Sequence, residues 1–381
     1  MPELAIYRID IYDDAGIKHG SLTGTGSGGE ERRSGFLSFS CTRRVNAAGL
    51  LIFTLRGDHP LLSSMSDKWQ FELWRKPIGQ VWTREFVGIF RGGQWRYDDK
   101  SNIIIYCYGL LSLLSMRIIN YAANTVSRTV FTAVDPAETI SKSLVTYNIT
   151  SDATTANGRK RDGTNWPATQ ITVEADGGGG NLQPWYCFGS VLLESLQKLS
   201  QVGGGDFDLV KTSPTAYQFR WYAGQIGTDR SFSIKFSVSL GNMGSPEVDM
   251  SWENEKTVAC VWGQGDDAMR DYVTRTGSNY AADNDIEMFI NASDVPIGDT
   301  YGLNTRGDQK LEEYRAKRLF RFNALQAPTT LYGIHYFLGD LVTVLDPLNG
   351  AEYIQKVSAI TLTWASDGKQ SVNTELIATN T

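Results

Sequence analysis

The sequence is poor in the residues that carry most enzyme chemistry. Among 381 residues there are 3 histidines and 4 cysteines. His19 stands in a glycine-bearing turn, His59 in a loop before Pro60, and His335 in a strand-like run. None accompanies a motif-borne serine or cysteine nucleophile, and no Gly-x-Ser-x-Gly occurs. His-Glu-x-x-His is missing, and Cys41, Cys107, Cys187 and Cys260 form no Cys-x-x-Cys pair. Zinc and thioredoxin-like chemistry therefore has no ligand set. Cys41, Cys107 and Cys260 lie in apolar strand patterns and read as small core hydrophobes of a protein folded in a reducing cytoplasm. No apolar stretch reaches the roughly 20 residues that span a bilayer, and Met1-Pro2-Glu3 is not a basic n-region, so neither membrane insertion nor a signal peptide is expected. An excess of positive charge is lacking too: the net charge of −6 gives no electrostatic footprint for nucleic acid.

What is present is a folded composition, 41% hydrophobic and 20% charged, with 10 Trp and 17 Tyr. Many strands and large contact surfaces both use such aromatics. The length allows two or three domains with their own cores. Charge is unevenly spread. Residues 247–308 hold 13 acids against 4 bases, whereas residues 1–116 hold 12 acids against 14 bases. The acidic block repels polyanions and suits a solvated face or the wall of a polar channel.

Period-two alternation marks strands at 5–12, 36–45, 50–55, 69–73, 86–91, 94–97 and 102–108, with turns at Asn46-Ala47-Ala48-Gly49, Gly92-Gly93 and Asp98-Asp99. A Gly/Ser-rich loop is expected at 20–35. Leu110, Leu111, Leu113, Leu114 and Ile118 read as a short buried helix. The middle is mixed. Asp135-Pro136-Ala137-Glu138 is a helix start, and 191–202 is an amphipathic helix with Leu192, Leu196 and Leu199 on one stripe. Strands are expected at 217–221 and 231–240. Residues 177–180 are four glycines; without a following Gly-Lys-Ser/Thr they read as a flexible loop rather than a phosphate cradle. Arg159-Lys160-Arg161 is a solvated loop tip or, in the sharper reading, a partner contact. The last third shows a charged helix at 308–320, with Leu311, Tyr314 and Leu319 inward, then strands at 331–337, 339–345, 353–364 and 371–378, with a turn at Asp346-Pro347-Leu348-Asn349-Gly350. The class is mainly β: two antiparallel, barrel-like β-domains flank an α+β middle. The boundaries are 1–116, 117–225, 226–308 (return strands and the acidic segment) and 309–381.

Residues 257–270 are the chain's most distinctive stretch. The apolar run Val258 to Trp262 meets Gly263-Gln264-Gly265, Asp266-Asp267 and Arg270. A strand followed by Gly-x-Gly suggests a dinucleotide site, but two aspartates where a pyrophosphate belongs argue against it. The glycines instead let a strand end in a sharp bend, and the aspartates favour the start of a short helix. Asp266/Asp267 and Glu312/Glu313 are neighbours in sequence and point apart on a helix, so they make poor acid/base dyads. No catalytic, cofactor-binding or metal residue is assigned, and the chain reads as a non-enzyme.

Five segments, in order, resemble the central tail hub proteins of tailed bacteriophages, in siphophage tail tips and contractile baseplates. They are Arg43-Arg44-Val45-Asn46-Ala47-Ala48-Gly49 with Ile52 to Leu55, then Phe86-Val87-Gly88-Ile89-Phe90, then 108–119. Val261-Trp262-Gly263-Gln264-Gly265 with Arg270, and Leu338-Gly339-Asp340-Leu341-Val342-Thr343-Val344 with Val357 and Ile360, complete the set. The resemblance implies a virion structural protein assembled in the host cytoplasm. It implies a homotrimer whose two similar β-domains per subunit give six quasi-equivalent positions, matching a sixfold tail tube above and a threefold tip or fibre below. DNA passes through the lumen without specific binding. Implied partners are a distal tail or tail tube protein, a tape measure protein and tail tip or fibre proteins. Larger hubs carry C-terminal lysin or receptor-binding modules; here the expectation is that another chain supplies them. A carbohydrate-binding module using the many aromatics is the alternative, and a cell-wall hydrolase a further one.

Overall fold

A computed structural model of the chain describes residues 5–24, 35–96, 101–122, 125, 127–163, 170–266, 269–348 and 350–378. The expected Asp98-Asp99 turn, Tyr97, Asp267, Asn349 and most of the 20–35 loop lie outside these residues.

The first part contributes β1 (Ala5–Tyr12), β2 (Lys18–Thr23), β3 (Ser38–Arg44), β4 (Ala47–Arg56), β5 (Gln70–Pro77), β6 (Thr83–Arg96) and β7 (Asn102–Gly109). Alternation does what it should: Phe39 and Cys41 on β3, and Leu51, Phe53 and Leu55 on β4, all turn into the core. Gly92-Gly93 is not a turn. It sits within β6, beside a register shift between Phe90 and Gly92, so the glycines serve a bulge. A 3-10 helix, Leu110–Met116, buries its four leucines, but Ile118 is exposed and Ile119 takes the core position.

The middle holds β8 (Val130–Pro136), α1 (Ala137–Ile149), β9 (Ile171–Val173), β10 (Leu182–Tyr186), α2 (Leu192–Gly203), β11 (Gly205–Lys211) and β12 (Tyr217–Ala223). Strands β8 and β10 pair, β11-β12-β9 form a second small sheet, and both helices pack on a core around Leu144, Trp185, Leu196 and Phe219. Pro136 precedes α1 rather than opening it. Helix α2 stops where Gly204 turns left-handed, at φ 66°.

The last part holds β13 (Lys235–Phe236), β14 (Met243–Ser251), β15 (Val258–Trp262), β16 (Tyr272–Thr276), β17 (Glu287–Asn291), α3 (Thr300–Glu313), β18 (Lys317–Ala324), β19 (Leu341–Leu345), β20 (Glu352–Trp364) and β21 (Gln370–Ala378). Three expectations change here. The charged helix starts eight residues earlier and ends at Glu313, so Phe320 stands in β18. Residues 331–337 form turns closed by a Tyr332–Tyr336 bridge instead of a strand, and 231–240 keep only the two-residue β13.

The mainly β class and the α+β middle hold, but the sheet is open rather than closed into barrels. Among the described residues thirteen strands share one sheet, with the path β14-β18-β21-β20-β3-β4-β7-β6-β5-β1-β2 and β19 and β13 beside it. The 13-residue β20 makes this possible. Its first half pairs with β19 and its second half with β3. One core then holds Ile9 and Phe71 from the first part together with Phe236 and Leu376 from the last. A sheet this large must curl to bury its apolar face.

Candidate functional site

The first resembling segment is a docking device. Between β3 and β4 the chain reverses at Asn46, whose φ is 56°, a conformation asparagine tolerates better than most residues. Its side-chain amide enters the middle module. Nδ2 donates to Ser200 Oγ and Asp206 Oδ1, each at 2.8 Å, and Oδ1 accepts from the Phe207 N–H at 2.8 Å. Asp206, buried on β11, also accepts from the Ile226 N–H at 2.9 Å and from Lys356 Nζ of β20 at 2.7 Å. One carboxylate thus ties the β3–β4 turn, the middle module and the last part of the sheet.

Beside it lies a buried charge cluster. Glu85 Oε2 accepts from Arg43 Nη1 and from the Tyr332 hydroxyl, both at 2.8 Å, and Arg75 stands 3.9 Å from Oε1. Arg75 is only 2% exposed and donates to the Tyr332 carbonyl at 2.9 Å. Burial raises the Tyr332 hydroxyl far above the ordinary tyrosine range, and the Glu85 charge adds to this, so it stays a donor. The Leu338-to-Val344 segment is explained similarly. Asp340 accepts from the Thr228 N–H at 2.7 Å, from Arg230 Nε at 2.7 Å and from the Phe337 N–H at 2.8 Å.

These contacts frame a cavity of ≈ 310 Å³ where the three parts meet, lined among others by Arg43, Arg84, Asp208, Lys211 and Leu338. Asp208 is half-buried in it. Burial pushes its carboxyl up to about 6, against the Leu209 N–H and the charges of Arg43 and Arg220. Lys211 reaches Glu72 at 3.0 Å and lies 4.5 Å from the Tyr12 ring centroid. Among the described residues its lining sets the charged side chains of Arg43, Arg84, Glu85, Asp208 and Lys211 at the junction.

The Val261-to-Gly265 segment belongs to a separate small module. Strand β15 pairs antiparallel with β16 and parallel with β17, and α3 packs on one face through Val261, Leu303 and Leu311. Strand β17 is a parallel neighbour of β15, but the chain reaches it through the β15–β16 hairpin and not a helix, which removes the dinucleotide geometry. Arg270 fastens the bend: it donates to the Gly263 carbonyl at 2.8 Å, the Trp262 carbonyl at 3.3 Å and Asn291 Oδ1 at 2.6 Å. Asp266 lies in that bend. Cys260 is half-buried on the sheet's outer face, while Cys187, unassigned from sequence, is fully in the core.

The remaining candidates are dispersed. His19 stacks on Trp69 with centroids 4.5 Å apart, His59 caps Pro60–Ser63, and His335 Nδ1 accepts from the Leu331 N–H at 2.9 Å. Glu312 and Glu313 pair with Arg315 and Lys310. Of the basic triplet, Arg159 is buried and donates to the Ile118 carbonyl at 3.1 Å, while Lys160 and Arg161 are exposed. Among the described residues no group of three His, Cys, Asp or Glu could hold a metal ion.

The glycine run is neither loose nor a phosphate cradle, because it already holds an anion of this chain. Glu138 accepts from the Gly177 N–H at 3.0 Å and the Gly179 N–H at 2.6 Å, and pairs with Lys142. Burial pushes the Glu138 carboxyl up, but Lys142 and the two N–H groups outweigh it and hold the carboxyl below its ordinary value. The stabilisation is therefore complete above the unfolded carboxylate's pKa and is lost as pH falls through the lowered folded value. Glu138→Gln is expected to cost about 1–3 kcal/mol at neutral pH, with the gap to wild type closing below about pH 4. Urea melts of both proteins across pH check this; a gap independent of pH contradicts it.

Comparison with known proteins adds the following. A family model described as "Siphovirus ReqiPepy6 Gp37-like protein" matches residues 31–376. Among curated proteins none matches. Of solved structures, the 43 kDa tail protein of prophage MuSo2 from Shewanella oneidensis superposes with a TM-score of 0.55 at 14% identity, covering 97% of this chain and 98% of that one. A tail protein from Neisseria meningitidis gives 0.53 at 10% identity, over 97% and 96%. A prophage tail protein from Listeria monocytogenes gives 0.51 at 12% identity, over 97% and 94%. At such identities the likeness shows a shared fold along nearly the whole chain.

Proposed function

We propose that this chain, which belongs to the siphovirus ReqiPepy6 Gp37-like family, is a structural component of a phage tail that works as a trimeric hub. The observation that carries the reading is the open sheet. Its path ends at β14 on one side and β2 on the other, and no described strand pairs with their outer edges. Unpaired edges invite another chain. Strand β14 carries Glu247 and Asp249, and β2 carries Lys18, which pairs with Asp10 at 2.9 Å and is still half exposed, so the two ends are suited to meet head to tail. Head-to-tail contacts between identical copies generate a ring when the rotation closes. The fold shared with prophage tail proteins supports the same reading.

Three copies form the collar, and the units 1–116, 117–225, 226–308 and 309–381 are its working parts. The acidic 247–308 block faces the lumen, where it keeps passing DNA from sticking. The tail tube or distal tail protein binds above, tip or fibre proteins below, and the tape measure protein at the lumen. The protein resides in the virion tail after assembly in the host cytoplasm, catalyses nothing and does not insert in membranes. Negative-stain electron microscopy of the purified chain tests this. Closed threefold rings with an open centre are expected, together with no glycan affinity and no release of peptidoglycan fragments. Single particles that bind glycans or cut cell wall contradict it.

A further inference from the structure

The small module leaves one sheet face uncovered. Helix α3 covers the Ala259 and Val261 side. On the other side Trp262 stands opposite Tyr272, and Cys260 stands opposite Phe289. Phe289 is 65% exposed and Tyr272 46% exposed. The Trp262 and Tyr272 rings lie 4.6 Å apart, so they form one aromatic surface. Glu287 is in line with Phe289 on β17 and is exposed, and Asp283 and Asp285 precede it in the acidic block.

A second patch has the opposite charge. At the β5–β6 hairpin Ile78 is 67% and Val81 75% exposed. Ile6, half exposed, stands opposite Lys76 in the β1–β5 register. Lys76 supplies the charge of this patch; Arg8, paired with Asp10 at 2.8 Å, lies over Trp74 and Trp82, 5.5 and 4.8 Å from their centroids. Apolar patches on both surfaces with opposite charges around them are the makings of a specific contact.

We infer that the aromatic face of β16-β15-β17 docks on the Ile6, Ile78 and Val81 patch of the next copy in the ring. This rests on the head-to-tail reading above and names the surfaces it uses. Chain continuity supports it. The small module follows β14 after only six residues, and the basic patch lies on β1, the strand paired with β2. If β14 of one copy meets β2 of the next, the two patches are brought to the same seam. The patches sit on different parts of the molecule, so the contact is heterologous and favours closure by rotation.

The test uses the full chain. Sedimentation velocity over a dilution series compares wild type with Phe289→Asp, Val81→Asp, Glu287→Lys, Lys76→Glu and the Glu287→Lys/Lys76→Glu pair. Circular dichroism checks that each is folded, and Phe289→Ser replaces Phe289→Asp if the latter is not. The expected result is a trimer for wild type, dissociation at concentrations at least tenfold higher for each Asp variant, smaller shifts for the single charge reversals, and recovery in the double reversal. Trimers of unchanged affinity in Phe289→Asp and Val81→Asp overturn the surface assignment and leave the ring reading standing. A wild-type monomer at every concentration overturns both. Loss of glycan binding in Phe289→Asp without any change in mass overturns the assignment in favour of a saccharide platform.

Discussion

Replacing Glu85 by glutamine is expected to destabilise the protein by about 3–5 kcal/mol, the usual cost of removing one partner from a buried ion pair. The carboxylate serves Arg43, Arg75 and Tyr332 at once. Arg75 has almost no access to water, so its charge, left without Glu85, is not recovered by solvent. Arg43 keeps some exposure and contributes less. The pair spans distant parts of the chain, and its loss loosens the contact between β5, β6 and the 332–336 turns. A second substitution separates charge stranding from lost packing. Arg75→Met together with Glu85→Leu removes the fully buried pair while keeping volume and leaves unpaired only Arg43, which is partly exposed, so it is expected to lie nearer wild type. Urea unfolding of the three variants is the measurement. Equal losses in Glu85→Gln and in the double variant contradict the account.

Gly227→Ala is expected to reach the upper end of overpacking costs, about 3 kcal/mol or more. A Cβ at this position comes within 2.2 Å of the Gly339 carbonyl carbon and 2.3 Å of the Asp340 nitrogen. The obstacle is backbone, which cannot step aside as a side chain can. Moving it displaces the Asp340 carboxylate from the Thr228 N–H and from Arg230. Gly339 is bound by the same crossing: its φ is 88°, and its Cβ lands 2.3 Å from Ile226 Cγ2. Thermal melts should therefore show a large loss for Gly227→Ala and a small one for Gly224→Ala, where nothing lies within 4 Å and only the positive φ is strained. Similar losses at the two sites contradict the crossing as the cause.

The sequence carried most of the class and little of the connections. Alternation at Phe39, Cys41, Leu51 and Phe53 located strands, and the leucine stripe located α2, because both signals are local. Alternation also misled at 331–337. Tyr332 and Tyr336 are buried, yet they bracket turns. Gly302 and Gly307 in α3 argue against a helix there, so the local pattern points to a start eight residues later. Both glycines are there for close packing, one against the Tyr186 ring and the other against Arg275 and Val261. The junction was invisible for a different reason. Asn46, Asp206 and Lys356 lie far apart in the chain, and no local pattern announces that they meet. The one signal available was an asparagine at a tight reversal before Ala-Ala-Gly, and it marks a left-handed turn, not a docking point. The open sheet was likewise hidden, since pairing of β20 with β3 joins the two ends of the chain.

The central claim is that identical copies of this chain close into a threefold collar. Multi-angle light scattering of the purified protein at neutral pH measures it most directly. The account predicts a single species at three times the 42.2 kDa chain mass, persisting on dilution. A uniform species at 42.2 kDa across the same concentrations contradicts it.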